Sequence, residues 1–370
     1  MTAATIAVLI FLFTATPQGI TLPSPSTAEF CGDCHREIFQ GWKRSAHAAA
    51  MESRLFQDAL KLAEEDSGAA AHKTCLGCHS PVGVRIGDLA LVRKVSWEGI
   101  TCDYCHSIRE VDMSGPNPVA RVEFSSVKSG PSKTSMSPVH GTQFSEVHTS
   151  SLVCAGCHDY RNSHGLQVLS TYTEWKDSAY AKRDTSCQTC HMYTVQGPVV
   201  DPRVRQDAAQ GINFHEMPGS RSVEQLNKAI RTHLSAERQG DTVKITVKLT
   251  NAGAGHYVPT GSALRKLILE VRADAYNGRR TSAERVYSRS IADASGKPID
   301  REHFAFLKGS KVLGDTRLAP LETRTEVFSF PMPGRTPVRV TATLYYYYSP
   351  LADTEHQSKT KFFSVGYLVP

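Results

Sequence analysis

The placement of the cysteines constrains this chain of 370 residues more than any other feature. All ten cysteines fall in Cys-x-x-Cys-His units, and none occurs beyond Cys190. The five units begin at Cys31, Cys75, Cys102, Cys154 and Cys187. With 10 Cys and 15 His in the chain, random placement predicts only about 0.01 such unit. Any account of the fold therefore has to start from a unit that is repeated five times.

Cys-x-x-Cys-His is the attachment signature of c-type haem, in which two thioethers hold the porphyrin and the histidine binds the iron. We therefore predict five covalently bound haem c groups. The predicted attachment cysteines are Cys31, Cys34, Cys75, Cys78, Cys102, Cys105, Cys154, Cys157, Cys187 and Cys190. The predicted proximal ligands are His35, His79, His106, His158 and His191. Two alternatives remain: structural zinc, which would leave one of five units unpaired, and redox dithiols, which do not need the histidine.

The second axial ligand of each iron decides between electron transfer and ligand chemistry. The chain has only 7 Met, so we expect mainly bis-His haems rather than His/Met ligation. The predicted distal ligands are His47, His140, His148, His215 and His256. His256 lies between two predicted strands, where Gly253 and Gly255 would let the loop reach a haem. The other histidines are expected at the surface or in loops, with the first two in reserve: His72, His164, His233, His303 and His356.

The N-terminus carries a candidate export signal. An apolar run from Ala3 to Thr14 fits the hydrophobic core of a signal peptide, although no Lys or Arg precedes it. We assign residues 1–19 to a signal peptide or an uncleaved N-terminal anchor, and residues 20–29 to a linker. Because c-type haem is attached outside the cytoplasm, we expect a periplasmic or extracellular protein.

The rest of the sequence predicts an α+β chain of two domains. Residues 30–221 form a pentahaem domain of short helices and loops, including helices over Phe39–Ala63 and Glu174–Ala181. Residues 222–370 begin with a connecting helix over Ser222–Ser235 and continue as an antiparallel β-sandwich, because apolar and polar residues alternate there with a period of two. The expected strands are 243–249, 267–273, 285–291, 325–330, 338–347 and 361–365.

Several strings around the five units resemble the multihaem cytochrome c family that includes the tetrahaem cytochrome of nitrifiers and relatives of hydroxylamine oxidoreductase. They are FCGDCHREIFQGWKRSAHA, TCLGCHSPVG, GITCDYCHSI, LVCAGCHDYRNSHG, TYTEWKDSAYA and CQTCHM, and they span Phe30–Met192. The loop NAGAGHYVPTG resembles C-terminal modules of some exported multihaem relatives. The resemblance implies bis-His ligation, stacked haem pairs and electron transfer, and it supports His47 as a distal ligand.

Taken together, these features predict an exported pentahaem cytochrome that conducts electrons between redox partners and has no catalytic residue. Its partners would be other cytochromes or a membrane quinol-linked complex. One alternative is a multihaem oxidoreductase with one five-coordinate haem, acting on a small nitrogen or sulfur species. Another is a structural haem subunit of a filament or respiratory complex, self-associating through the β-domain. The net charge of +6, without a basic stripe, argues against nucleic acid.

Overall fold

The computed structural model describes residues 25–133, 136–206, 210–351 and 358–370. Residues 1–19, predicted as a signal peptide or anchor, lie outside this range, as does His356. Within the described residues, no helix has both the length and the hydrophobicity needed to cross a membrane.

The N-terminal half is built from short helices and short strand pairs. Its helices are α1 Ala28–Gly32, α2 Arg36–Lys43, α3 Arg54–Ser67, α4 Ala69–His79, α5 Pro81–Arg85, α6 Lys94–Trp97, α7 Cys102–His106, α8 Glu146–Thr149, α9 Leu152–His158, α10 Thr171–Lys176 and α11 Cys187–His191. Its strands are β1 Ile108–Asp112, β2 Val119–Val122, β3 Val127–Gly130, β4 Gly141–Phe144, β5 Tyr160–Arg161, β6 Gln167–Leu169, β7 Thr194–Gly197 and β8 Gln210–Asn213. They form two-stranded sheets in sequential pairs, of which only β3–β4 is parallel. The sequence did not predict these small sheets.

The C-terminal half consists mainly of long strands. Its elements are α12 Val223–Ala229, β9 Ile230–Gln239, β10 Thr242–Asn251, β11 Lys266–Ala275, β12 Arg280–Ala292, α13 Glu302–Leu307, β13 Lys311–Asp315, β14 Thr323–Pro331, β15 Val338–Tyr347 and β16 Lys359–Val369. They form a three-stranded sheet in the order β14-β10-β9 and a five-stranded sheet in the order β13-β12-β11-β15-β16. Helices and sheets together confirm the α+β class, whereas the sandwich arrangement stays a prediction.

The strands follow the predicted alternation. In β10, the side chains of Val243, Ile245, Val247 and Leu249 are fully buried, and the residues between them are more exposed. These side chains belong to one hydrophobic cluster with Leu267 and other residues of the five-stranded sheet. Alternate positions of both sheets therefore supply the main core of this half.

The predicted helix over Phe39–Ala63 is interrupted. Helix α2 ends at Lys43 and α3 begins at Arg54, so His47 lies in a series of turns. Ser45 Oγ accepts the amide of Ala48, and the carbonyl of His47 accepts the amide of Ile100 at 3.1 Å. Gly99 has φ +69, and a side chain there would collide with the His47 carbonyl. These local and long-range hydrogen bonds replace the helical ones.

Two other helix predictions were partly wrong. The predicted helix over Ser222–Ser235 ends at Ala229, because Ile230 begins strand β9, which pairs antiparallel with β10 along its whole length. From Ile230 to Gln239 every second residue is exposed and those between are more buried, which is the strand pattern that the helix assignment missed. The helix predicted over Glu174–Ala181 lies earlier, at Thr171–Lys176.

Candidate haem-binding site

Each Cys-x-x-Cys-His unit lies on or directly after a short helix. The third and fifth units coincide with α7 and α11, the second and fourth end α4 and α9, and the first runs from α1 to the start of α2. Thr27, Thr101 and Ser186 precede three of these helices, and each side chain accepts the amide of the third residue after it. Such N-caps stabilise a helix that is only one turn long. All ten cysteines are free of disulfides.

The imidazoles of four units donate Nδ1–H to a backbone carbonyl. His35 donates to Val199 O at 2.7 Å, His106 to Ser129 O at 2.6 Å and His191 to Pro218 O at 2.7 Å. His79 makes a longer contact, 3.3 Å, with Ala50 O. This arrangement fixes the ring orientation and leaves Nε2 available, as it does in most metal-binding histidines.

Burial keeps several of these imidazoles neutral. It lowers the pKa of His79 and His106 to about 4 and that of His158 to about 3. Burial also lowers the pKa of His35. Since only a neutral imidazole can bind a metal through nitrogen, these side chains are in the ligating form at pH 7.

Four of the five unit histidines face a second histidine from elsewhere in the chain. The pairs, with the distances between ring centroids, are His35–His140 at 6.2 Å, His158–His47 at 6.1 Å, His191–His256 at 6.3 Å, and His106 with both His148 at 5.7 Å and His215 at 6.4 Å. Two imidazoles bound to one metal at about 2.0–2.1 Å through nitrogen would have centroids about 6 Å apart. The spacing fits an iron between the rings of each pair.

Hydrogen bonds distinguish the two neighbours of His106. His148 uses both ring nitrogens, with Nδ1 at 2.9 Å from Ser145 Oγ and Nε2 at 2.9 Å from Cys105 O. His215 uses only Nδ1, which donates to Asn213 O at 2.6 Å. Its Nε2 is therefore the better candidate for metal binding, and His148 is the weaker of the two.

His79 differs from the other four unit histidines. Its ring stacks on Phe56 with centroids 3.7 Å apart and planes within 5°. His72, the reserve nearest in sequence, bonds to Glu64 and to Leu89 O. Among the described residues, the ring contact of His79 is therefore with a phenyl group rather than a second imidazole.

The cysteines bring the units close together. The sulfur of Cys31 lies close to that of Cys102, and two further pairs bring Cys78 close to Cys157 and Cys154 close to Cys187. The first unit thus contacts the third, and the fourth contacts both the second and the fifth. The sequence gave no signal of these contacts, because each joins segments that are far apart along the chain.

The remaining histidines are held elsewhere. His164 Nε2 lies 3.1 Å from Leu307 O, and His233 lies on β9. His303 was predicted at the surface or in a loop, and this was wrong: it lies on α13, is 4% exposed and bonds to Asp66 on α3. Of the predicted linker, residues 20–29, the structure describes residues 25–29. Ser26 and Ala28 are buried there, and α1 begins at Ala28.

Comparisons with known proteins bear on this arrangement. The family described as cytochrome c554 and c-prime matches residues 30–107, which contain the first three units. Cytochrome c-554 of Nitrosomonas europaea is 33% identical over 103 residues, covering 26% of this chain and 44% of the relative. The chain thus matches less than half the length of that relative. These comparisons support a multihaem c-type cytochrome.

A solved structure shows the fold of such a cytochrome over almost the whole chain. The penta-heme cytochrome c552 from Thermochromatium tepidum superposes with a TM-score of 0.75 at 20% identity. The match covers 92% of this chain and 98% of that chain. It therefore includes both the region of the five units and the C-terminal strands.

Proposed function

We propose that this multihaem cytochrome is an exported pentahaem electron carrier. Residues 30–221 would form the haem domain, and residues 222–370 a β-sandwich whose two sheets enclose the shared core. The ten cysteines of the five units would attach haem c, whose iron supplies one-electron redox chemistry. The protein's own residues would fix the ligands, exclude water and set the distances between neighbouring units.

The four imidazole pairs are the observation that carries this proposal. His140, His47, His215 and His256 would be the distal ligands of the first, fourth, third and fifth units, in that order. Bis-His ligation leaves an iron without a position for substrate, so such sites transfer electrons rather than bind reactants. No catalytic residue is assigned to these four units.

Contacts between units support a route for electrons. The cysteine pairs join the first unit to the third and the fourth to the second and fifth, so the fourth would pass electrons between the second and the fifth. Partners would be other cytochromes or a membrane quinol-linked complex in the periplasm or outside the cell. Self-association through the β-domain would be an additional contact.

Electron paramagnetic resonance of the holoprotein combined with a redox titration tests the proposal. We expect four low-spin ferric haems with bis-His signals. Replacement of His140, His47, His215 or His256 by Ala, one at a time, should convert one low-spin haem to high spin. His148→Ala is the matched control at the third unit and should leave the spin state unchanged. Low-spin signals that survive all four substitutions would contradict the ligand assignment.

A second candidate function rests on His79, whose ring contacts Phe56 and, among the described residues, no second imidazole. An iron bound by His79 alone would keep one coordination position for a small nitrogen or sulfur species. The full holoprotein should then show one high-spin ferric haem that binds cyanide or nitrite. Five low-spin haems in the wild-type protein, with no cyanide binding, would exclude this function.

A further inference from the structure

A buried carboxylate joins the haem half to the loop that carries His256. The side chain of Glu174, on α10, is 6% exposed. Its Oε2 accepts the amide of Tyr257 at 3.1 Å and the hydroxyl of Thr260 at 2.9 Å. Its Oε1 accepts the hydroxyl of Ser170 at 2.7 Å and Arg317 Nη1 at 2.7 Å. The loop is thus bonded to α10 on both sides of Val258.

Arg317 holds the same loop from the C-terminal half. Its side chain is 9% exposed, and it makes a bidentate pair with Asp315 through Nε at 2.9 Å and Nη2 at 2.8 Å. Its Nη1 also donates to Pro259 O at 3.3 Å, and its guanidinium lies 4.8 Å from the centroid of the Tyr257 ring. The buried charge of Glu174 is therefore paired, and its partner contacts the residues that flank His256.

Aromatic residues that follow Glu174 support the opposite side of the loop. Tyr180 donates its hydroxyl to Ala252 O at 2.6 Å. A Cβ atom at Gly255 would lie 3.0 Å from both Trp175 Cδ1 and Tyr180 Cβ, so the backbone approaches these rings closely. In this position the ring of His256 lies 6.3 Å from that of His191, with the planes 15° apart.

We propose that Glu174 and Arg317 are positioning residues that hold His256 at the fifth haem unit. This inference rests on the proposed function, since it takes His256 as the distal ligand there. Val258 of the loop and Leu318 beside Arg317 belong to the C-terminal hydrophobic cluster, so apolar contacts anchor the loop and the polar pair would orient its ligand. Without the pair, the His256 loop would move away and the iron would accept an external ligand.

The test uses the holoprotein with Glu174→Ala, Arg317→Met and Arg317→Lys. We expect Glu174→Ala to convert one low-spin haem to high spin and to raise the rate of cyanide binding at that haem at least about tenfold, because charged hydrogen bonds to the loop are lost. Added imidazole should restore the low-spin signal. Arg317→Lys should keep more of that signal than Arg317→Met, because it retains the cation.

Glu326→Gln is the matched control. Glu326 is a half-buried carboxylate paired with Arg285 at 3.1 Å in the C-terminal half, away from the loop. This variant should keep the wild-type spin states and cyanide rate. Wild-type spectra and rates in Glu174→Ala and Arg317→Met would overturn the inference.

His256→Ala separates failure of the inference from failure of the proposed function. If His256→Ala leaves every low-spin signal intact, the ligand assignment itself is wrong. If His256→Ala converts one haem and Glu174→Ala does not, only the positioning role is wrong. If Glu174→Ala yields no folded holoprotein, Thr260→Val decides, since it removes one hydrogen bond to Glu174. It should increase cyanide binding less than His256→Ala does, and an unchanged rate would count against the inference.

Discussion

The C-terminal half has one large hydrophobic interior, whereas the N-terminal half has several small ones. In the C-terminal half, fully buried aliphatic side chains from both sheets form a single cluster. In the N-terminal half, one cluster centres on Met51, Phe56, Leu60 and Leu76, and another on Val82 and Ile108. Cys75 packs against the first of these clusters and Cys105 against the second. Apolar side chains can thus account for the interior of one half, and we expect the other half to depend on its attached groups.

The largest expected effect comes from removing those groups. When the full chain is expressed without c-type haem attachment, we expect the N-terminal half not to fold, because the small clusters do not offset the loss of chain entropy. Hydrogen exchange should then be fast over residues 25–221, while strands β10, β11 and β15 stay protected. Equal protection of both halves in the haem-free chain would show that the N-terminal half does not depend on its attached groups for folding.

A core truncation in the C-terminal half should have a smaller and more local effect. Leu269 is fully buried on β11, and Leu269→Ala should lower the free energy of unfolding by about 2–5 kcal/mol. Urea denaturation followed by circular dichroism measures this loss. The haem absorption spectrum should not change, since Leu269 belongs to the sheet core. Val286→Ala on β12, at a position that is 44% exposed, is the control and should cost much less.

Local sequence patterns predicted the interior of the C-terminal half better than that of the N-terminal half. The period-two alternation of residues 243–249 predicted strand β10. Successive side chains of a strand point to opposite faces of the sheet, so burial of one face gives apolar residues at every second position. The turn at His47 could not be predicted in this way, because it depends on a hydrogen bond to a distant segment, that from Ile100 to His47. Strand β9, in contrast, pairs with the neighbouring strand β10 and shows the same period of two, which the helix assignment missed.

The candidate site shows the same division. The positions of the five units follow from a local signature, and each does lie at a helical turn. The partner of each imidazole depends on tertiary contacts, so the sequence could propose His148 and His215 but could not show that both face His106. The hydrogen bond from His148 to Cys105 O ranks them. Glu174 gave no sequence signal, because its role depends on Arg317, which lies 143 residues away.

The smallest predicted effect concerns the junction of the two halves, where α13 packs against α3. Burial raises the pKa of Glu302, on α13, from 4.5 to about 7, although Arg265 nearby opposes the shift. Ser349 Oγ donates to its carboxylate at 3.1 Å. The folded state therefore keeps a proton that the unfolded state releases above pH 4.5. This contribution to stability is complete below about pH 4.5 and is lost as the pH rises through 7.

Glu302→Gln mimics the protonated side chain and should remove this loss. At pH 8 the variant should be more stable than the wild type by at most about 3.4 kcal/mol, since the pKa is raised from 4.5 to about 7 and each pH unit corresponds to about 1.4 kcal/mol. At pH 4 the two proteins should unfold at the same urea concentration. The measurement is the difference between the urea midpoints of the two proteins from pH 4 to 8. Both proteins have the same other acidic groups, so this difference reports the effect of the Glu302 carboxyl alone. A constant difference across that range would mean that the pKa of Glu302 is the same in the folded and unfolded states, and hence that its carboxyl at the junction is hydrated in both.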